Sequence, residues 1–327
     1  MAAIRIFFLV GIFVFGTGVP LSGQRSYQGH AAQDSFNRKK FWSMAALGSG
    51  IYGAATIGLH AAWYKDQGRT SFHFFDDWEE WLKMDKAGHA YTAYFEAELC
   101  FKGARWTGMP NKGATWTGAL AAFVMQSTVE MLDAYSPEWG FSVGDMGFNL
   151  AGIGLFTFQQ LHWKEQRMRL KVSSGLDSYP ATPIRSANGL LTTPLEERTD
   201  ILFGTSTAEK FLKDYNAQTV WLSVNPKSFW PQSRIPSWLN IAVGYSGENL
   251  FGGFENTWLD RGQFFKLSAD EYPRHAQWLL SPDLDLSRIT TKSKAIKTAL
   301  TILNIFKIPA PAIEFSQGKV FWRWFYL

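Results

Sequence analysis

The stretch "MDKAGHAYTAYFEAELC", residues 84–100, decides how this chain folds. Its small and aromatic residues read as a buried or membrane-facing helix, yet it carries Asp85, Lys86, His89, Glu96 and Glu98. Ionised groups are costly to remove from water unless they are partnered. On a helix, Asp85, His89, Thr92 and Glu96 fall on one continuous stripe, so the charges share a face. That face is either wet or met by other segments.

Two later segments repeat the device. "ATWTGALAAFVMQSTVEMLDAY", Ala114–Tyr135, sets Gln126, Glu130 and Asp133 along one face. "SVGDMGFNLAGIGLFTFQQLHW", Ser142–Trp163, places Asp145 and Asn149 one turn apart, with Ser142 in the N-cap position. By contrast "FWSMAALGSGIYGAATIGLHAAWY", Phe41–Tyr64, holds no Asp, Glu, Lys or Arg. Trp42 and Trp63 bracket it, about 31 Å apart along a helix and close to a hydrocarbon thickness. Gly50, Gly53, Ala54 and Gly58 suit close helix approach. The economical arrangement is a bundle of four hydrophobic helices. Its three polar stripes point at one another and its apolar faces turn to lipid or to a partner.

Two of these motifs carry a resemblance. "DKAGHAYTAYF", residues 85–95, and "QSTVEMLDAYSPEWGFSVGDMGFNLAG", residues 126–152, resemble the YfiM-type family of predicted periplasmic lipoproteins of unknown function. More distantly they are similar to VanZ-like membrane proteins, which share an Asp-Lys-x-x-His helix, a Glu-bearing helix and an Asp-x-x-x-Asn helix. The resemblance covers roughly residues 40–170. It implies an envelope location and no established activity.

The candidate polar cluster is therefore Asp85, His89, Glu96, Glu130, Asp133, Asp145 and Asn149. Within it, Asp85, His89, Glu130 and Asp145 are candidates for a divalent metal, since helix bundles build such sites from facing side chains. A bound metal would activate water for hydrolysis of a lipid or cell-wall precursor. The favoured alternative is a structural network in which these groups satisfy one another and fix register. No Glu-x-x-His spacing supports a di-metal site, and no Ser or Cys beside the His supports a nucleophilic triad. No organic cofactor is expected.

Composition narrows the classes. The 327 residues are 46% hydrophobic and 18% charged, enough for a packed core and unlike a disordered chain. The net charge of +4 is modest, and no Lys/Arg-rich block interleaves with aromatics, so a nucleic-acid partner is excluded. Aromatic content is high, 16% with 15 Trp, which suits a membrane interface or a large protein interface.

The N-terminus reads as a secretory signal: Arg5, an apolar run Ile6–Phe15, small residues Gly16–Gly23, and cleavage after Gly23. No Cys follows it, which argues against lipid attachment there, and Cys100 has no partner for an intrachain disulfide.

Beyond the helices the sequence turns rich in Pro, Ser and Thr, and residues 172–200 read as a linker. In the tail, "STAEKFLKDYNAQTVWLSV" and "TKSKAIKTALTILNIF" read as helical, and "SWLNIAVGYS" and "AQWLLSPDLDLSRI" as strands. "PAIEFSQGKVFWRWFYL" reads as a hairpin turning at Ser316–Lys319. Its aromatic end is like an outer-membrane strand, but too few alternating segments are legible to close a barrel.

The expected fold is mainly α: a signal at 1–23, a helical bundle at 36–171, the linker, and a smaller α/β region at 201–327. Acidic loops after the first and third helices oppose the positive-inside rule for an inner-membrane protein. The expected protein is a non-enzymatic, membrane-associated envelope scaffold with transmembrane helices and its tail in the periplasm. Membrane lipid and other envelope proteins are its expected partners.

Overall fold

A computed structural model of the chain describes residues 36–63, 68–175 and 178–327. The signal segment 1–23 and its cleavage site lie outside them. Four helices come first: α1 (Arg38–Trp63), α2 (Met84–Trp106), α3 (Asn111–Asp133) and α4 (Val143–His162). Local chemistry sets their ends. Pro110 stands at the entry to α3, and the Ser142 hydroxyl accepts the Asp145 backbone N–H at the start of α4. The chain divides into two compact units, with α2 passing from one to the other at Ala87–Gly88.

The helical unit comprises residues up to Asp77, Gly88–Arg167 and Leu286–Leu303. Every residue from Tyr91 to Glu98 of α2 is buried, so this helix has no solvent face there. Small residues let its neighbours come close. A Cβ at Gly118 of α3 would run into the Ala97 carbonyl, and one at Gly152 of α4 into the Ala90 carbonyl. Gly152→Ala is therefore expected to lower stability by about 1–3 kcal/mol through overpacking. Gly147→Ala on the same helix, where a Cβ meets nothing, should stabilise by roughly 0.5–1 kcal/mol. Thermal melts of the two variants that moved in the same direction would refute this close approach.

The outside of this unit is apolar and its inside polar. Trp116, Leu120, Phe123 and Val124 of α3 and Leu150 and Phe158 of α4 are exposed, while Gln126, Glu130, Asp145 and Asn149 are buried. Among the described residues no helix is long and apolar enough to cross a membrane. The expectation of transmembrane helices is thereby overturned. In α2, α3 and α4 the polar stripes lower the mean hydropathy, and in α1 the many Gly, Ala and Ser residues do so.

The second unit comprises Trp78–Ala87, Met168–Asp285 and Asn304–Leu327. Its elements in chain order are β1 (Met168–Ser174), β2 (Pro183–Arg185), β3 (Thr192–Pro194), α5 (Leu195–Phe203), α6 (Thr207–Lys213), β4 (Gln218–Val224) and α7 (Pro226–Phe229). There follow β5 (Leu239–Glu248), β6 (Thr257–Asp260), β7 (Gln263–Lys266), β8 (His275–Leu284), β9 (Ala310–Ser316) and β10 (Lys319–Tyr326). Between β8 and β9 the chain visits the helical unit as α8 (Lys294–Leu303). One sheet takes six strands in the order β1-β4-β5-β8-β9-β10, each neighbouring pair antiparallel. The hairpins β2–β3 and β6–β7 form two small sheets, and Ile184, Leu195, Phe251, Trp258, Phe265 and Leu267 cluster in one apolar core.

The large sheet curls on itself. Trp221 of β4 and Tyr326 of β10 have ring centroids 5.9 Å apart although three strands separate theirs. At the other edge, Val172 of β1 donates to the Ile305 carbonyl and accepts from the Lys307 N–H. Trp221, Ala242, Leu279 and Ala312 fill the inner face.

The expectation of a mainly α chain with a small tail is therefore corrected: among the described residues helices hold 44% and strands 23%. Two causes are visible. The segment read as one helix after Ser206 breaks at Asp214–Ala217, giving short α6 and then β4. Strands such as β1, "MRLKVSS", carry Lys and Ser inward, so they lack the apolar surplus that marks a strand. Residues 172–200 contribute the end of β1, the hairpin β2–β3 and the start of α5. The β9–β10 hairpin turns at Gln317–Gly318, both with positive φ, as its sequence predicts.

Candidate functional site

Three helices bring the polar stripes together. Ser142 starts the construction. Its hydroxyl caps α4 through the Asp145 N–H at 2.9 Å and donates to Asp77 Oδ1 at 2.6 Å. Its own N–H donates to Glu130 Oε2 at 3.2 Å, tying α3 to the α4 cap. His89 of α2 reaches into this corner. Its Nδ1 lies 3.1 Å from Asn149 Oδ1 and 3.8 Å from Glu130 Oε1, and its Nε2 lies 3.6 Å from Asp145 Oδ2. His89 is 2% exposed and Glu130 1%.

The remaining candidates divide. Glu96, two turns past His89, accepts from Gln126 Nε2 at 2.7 Å, a second α2–α3 link. Asp133 stays half-buried, and its charge raises the Glu130 pKa. Asp85 stands one turn before His89 on α2, where its Oδ1 accepts from Tyr215 Oη at 2.5 Å. Tyr215 and Gln218 are buried groups of the second unit. Glu98 pairs with Lys102 at 3.0 Å, an ordinary pair one turn apart.

Burial dominates the electrostatics. Desolvation pushes the Glu96 carboxyl up to about 8, against the Gln126 hydrogen bond and the pull of His89. Glu130 is likewise raised to about 8, first by desolvation, with His89 opposing and Asp145 adding to the rise. His89 and Asp145, like Asp85 one turn earlier on the helix, are among the described groups that could serve as metal ligands.

Two polar networks escape the sequence reading. At the far end of the bundle, Gln166 accepts from Tyr94 Oη at 3.1 Å and from Gln159 Nε2 at 3.0 Å, and donates to Gln160 Oε1 at 3.2 Å. Gln160 in turn donates to Asn111 Oδ1 at 2.8 Å. The signal was present in "FQQLHWKEQ", but amides give no periodic charge to notice. The second network lines the inside of the large sheet. Lys171 Nζ meets Asp283 Oδ2 at 2.7 Å, Ser223 Oγ donates to the same oxygen at 2.6 Å, and Asn240 donates to Ser223 at 2.8 Å. Glu314 accepts from Gln277 at 3.1 Å and from Arg323 at 2.6 Å. The Lys307 ammonium sits 4.8 Å above the Trp221 ring, and burial pushes its pKa down to about 8.

Comparison with known proteins meets this geometry in one place. A family described as "Predicted periplasmic lipoprotein (DUF2279)" matches residues 73–160. That span holds all of α2 and α3 and most of α4, with His89, Glu130, Asp145 and Asn149. The description assigns the family to the cell envelope and names no activity. No curated protein and no solved structure matches the chain.

Proposed function

We propose that this chain is a non-enzymatic structural protein of the bacterial cell envelope. It associates with membrane lipid and keeps the sheet unit on the periplasmic side. The buried His–carboxylate network acts as a register lock for the helices. The observation that carries this reading is that the network joins three helices. Both ring nitrogens of His89 face protein oxygens, and its partners Glu130, Asp145 and Asn149 are all buried. Buried polar groups that answer one another specify one alignment of helices, and the groups here come from three different ones. The match to an envelope family over these same helices supports the location.

Metal analysis of the purified full chain tests the structural role. The expected result is no stoichiometric divalent ion, and a melting temperature unmoved by chelator. A stoichiometric ion lost in Asp85→Ala and His89→Ala would overturn it in favour of a metal centre.

A further inference from the structure

The six-stranded sheet is built inside out. Antiparallel sheets with one solvated face ordinarily turn polar residues to water and apolar residues to the core. Here the register aligns Leu170, Leu222, Val243, Leu280, Ile313 and Trp322 in one row across all six strands. Leu222, Val243, Leu280 and Trp322 of that row are exposed. The next row on the same face adds Tyr245, Trp278 and Phe315, with Trp278 55% exposed. Between these rows the chain turns Lys171, Glu314 and Leu279 inward, where the first two are held by Asp283 and Arg323. An apolar face with a polar, ion-paired inside is the alternation of a lipid-facing sheet.

We propose that this outer face of the sheet rests in lipid hydrocarbon. The inference rests on the membrane association proposed above and names the surface that makes it. The two rows contain no charged side chain, and Tyr245, one of their few polar groups, already donates its hydroxyl to the Leu82 carbonyl. A protein partner would be expected to bring about one hydrogen bond per 100–200 Å², and this face offers almost nothing to receive them. Hydrocarbon needs none. The rims suit headgroups: exposed Trp230, Arg234 and Trp238 precede β5 at one end, and exposed Lys319 opens β10 at the other.

The test uses the full chain with Cys100→Ala, labelled at single new cysteines with an environment-sensitive fluorophore. It is mixed with vesicles of phosphatidylethanolamine and phosphatidylglycerol whose acyl chains are brominated. Labels at Phe315→Cys and Ile241→Cys are expected to lose most of their emission, and one at Glu271→Cys, on an exposed loop, to keep it. Leu280→Arg should lower the vesicle-bound fraction on the order of tenfold, without moving the thermal melt.

Three results would overturn the proposal, and they are distinguishable. If the chain does not float with vesicles, membrane association falls as well. If it floats while a label at Leu120→Cys on α3 is quenched and that at Phe315→Cys is not, association stands and the sheet assignment falls. If the Phe315→Cys label is shielded without vesicles in a concentration-dependent way, a second copy of the chain covers the face.

Discussion

Asp283→Ala is expected to destabilise the sheet unit by about 3–5 kcal/mol, a large share of the roughly 5–15 kcal/mol that holds a domain folded. Lys171 and Asp283 are both fully buried and meet inside the curled sheet, although two strands separate theirs. Removing the carboxylate leaves the Lys171 ammonium with the Leu284 carbonyl, 2.8 Å away, as its near acceptor. It also strips Ser223 of the oxygen to which its hydroxyl donates. Burial already lowers the Lys171 pKa, and Asp283 is the main group opposing that shift, so the variant also shifts Lys171 toward its neutral form. The double variant Lys171→Met with Asp283→Leu should recover most of the loss, because neither charge of the pair is then left buried without the other. Urea unfolding followed by Trp fluorescence reads both. A double variant as unstable as Asp283→Ala would show that the pair supplies packing rather than mutual neutralisation.

The helical unit is expected to lose stability as pH rises from about 5 to about 8. Glu96 and Glu130 titrate near 8 in the folded chain, against the ordinary carboxyl value of 4.5. Unfolding returns them to water, where they ionise near that ordinary value. Their folded pKa values are raised, so the stability they contribute is complete below about 4.5 and is lost as pH climbs toward 8. Each unit between the two values corresponds to about 1.4 kcal/mol. Glu96→Gln and Glu130→Gln keep the shape of the protonated acid and cannot ionise, so each should flatten the profile by its own share. Melting temperatures across this range are the measurement. A parent protein equally stable at pH 5 and pH 8 would mean that these carboxyls remain charged in the core.

Much of the helical unit is legible in the sequence because helices are local. The apolar and polar periods of residues 84–100, 114–135 and 142–163 mark three helices to within a few residues, and the Ser142 cap is read from its own neighbours. The stripes also announce that His89, Glu96, Glu130 and Asp145 need partners, since a buried charge must be answered. Which atom answers which is another matter. His89 meets Asn149 from 60 residues away, and only the close approach of α4 to α2 at Gly152 brings them together.

The sheet was decided almost wholly by tertiary structure. A strand declares in its own sequence that its two faces differ, but not which face turns inward. In β1 and β8 polar residues went in, because Lys171 and Asp283 find one another only once strands from distant parts of the chain are aligned and curled. The β9–β10 turn could be read in advance, being fixed by two residues of positive φ at Gln317–Gly318. Period and turn chemistry are properties of a few adjacent residues and are written in the sequence. Register and the sidedness of the sheet arise from pairings across some 160 residues, and those exist only in the folded chain.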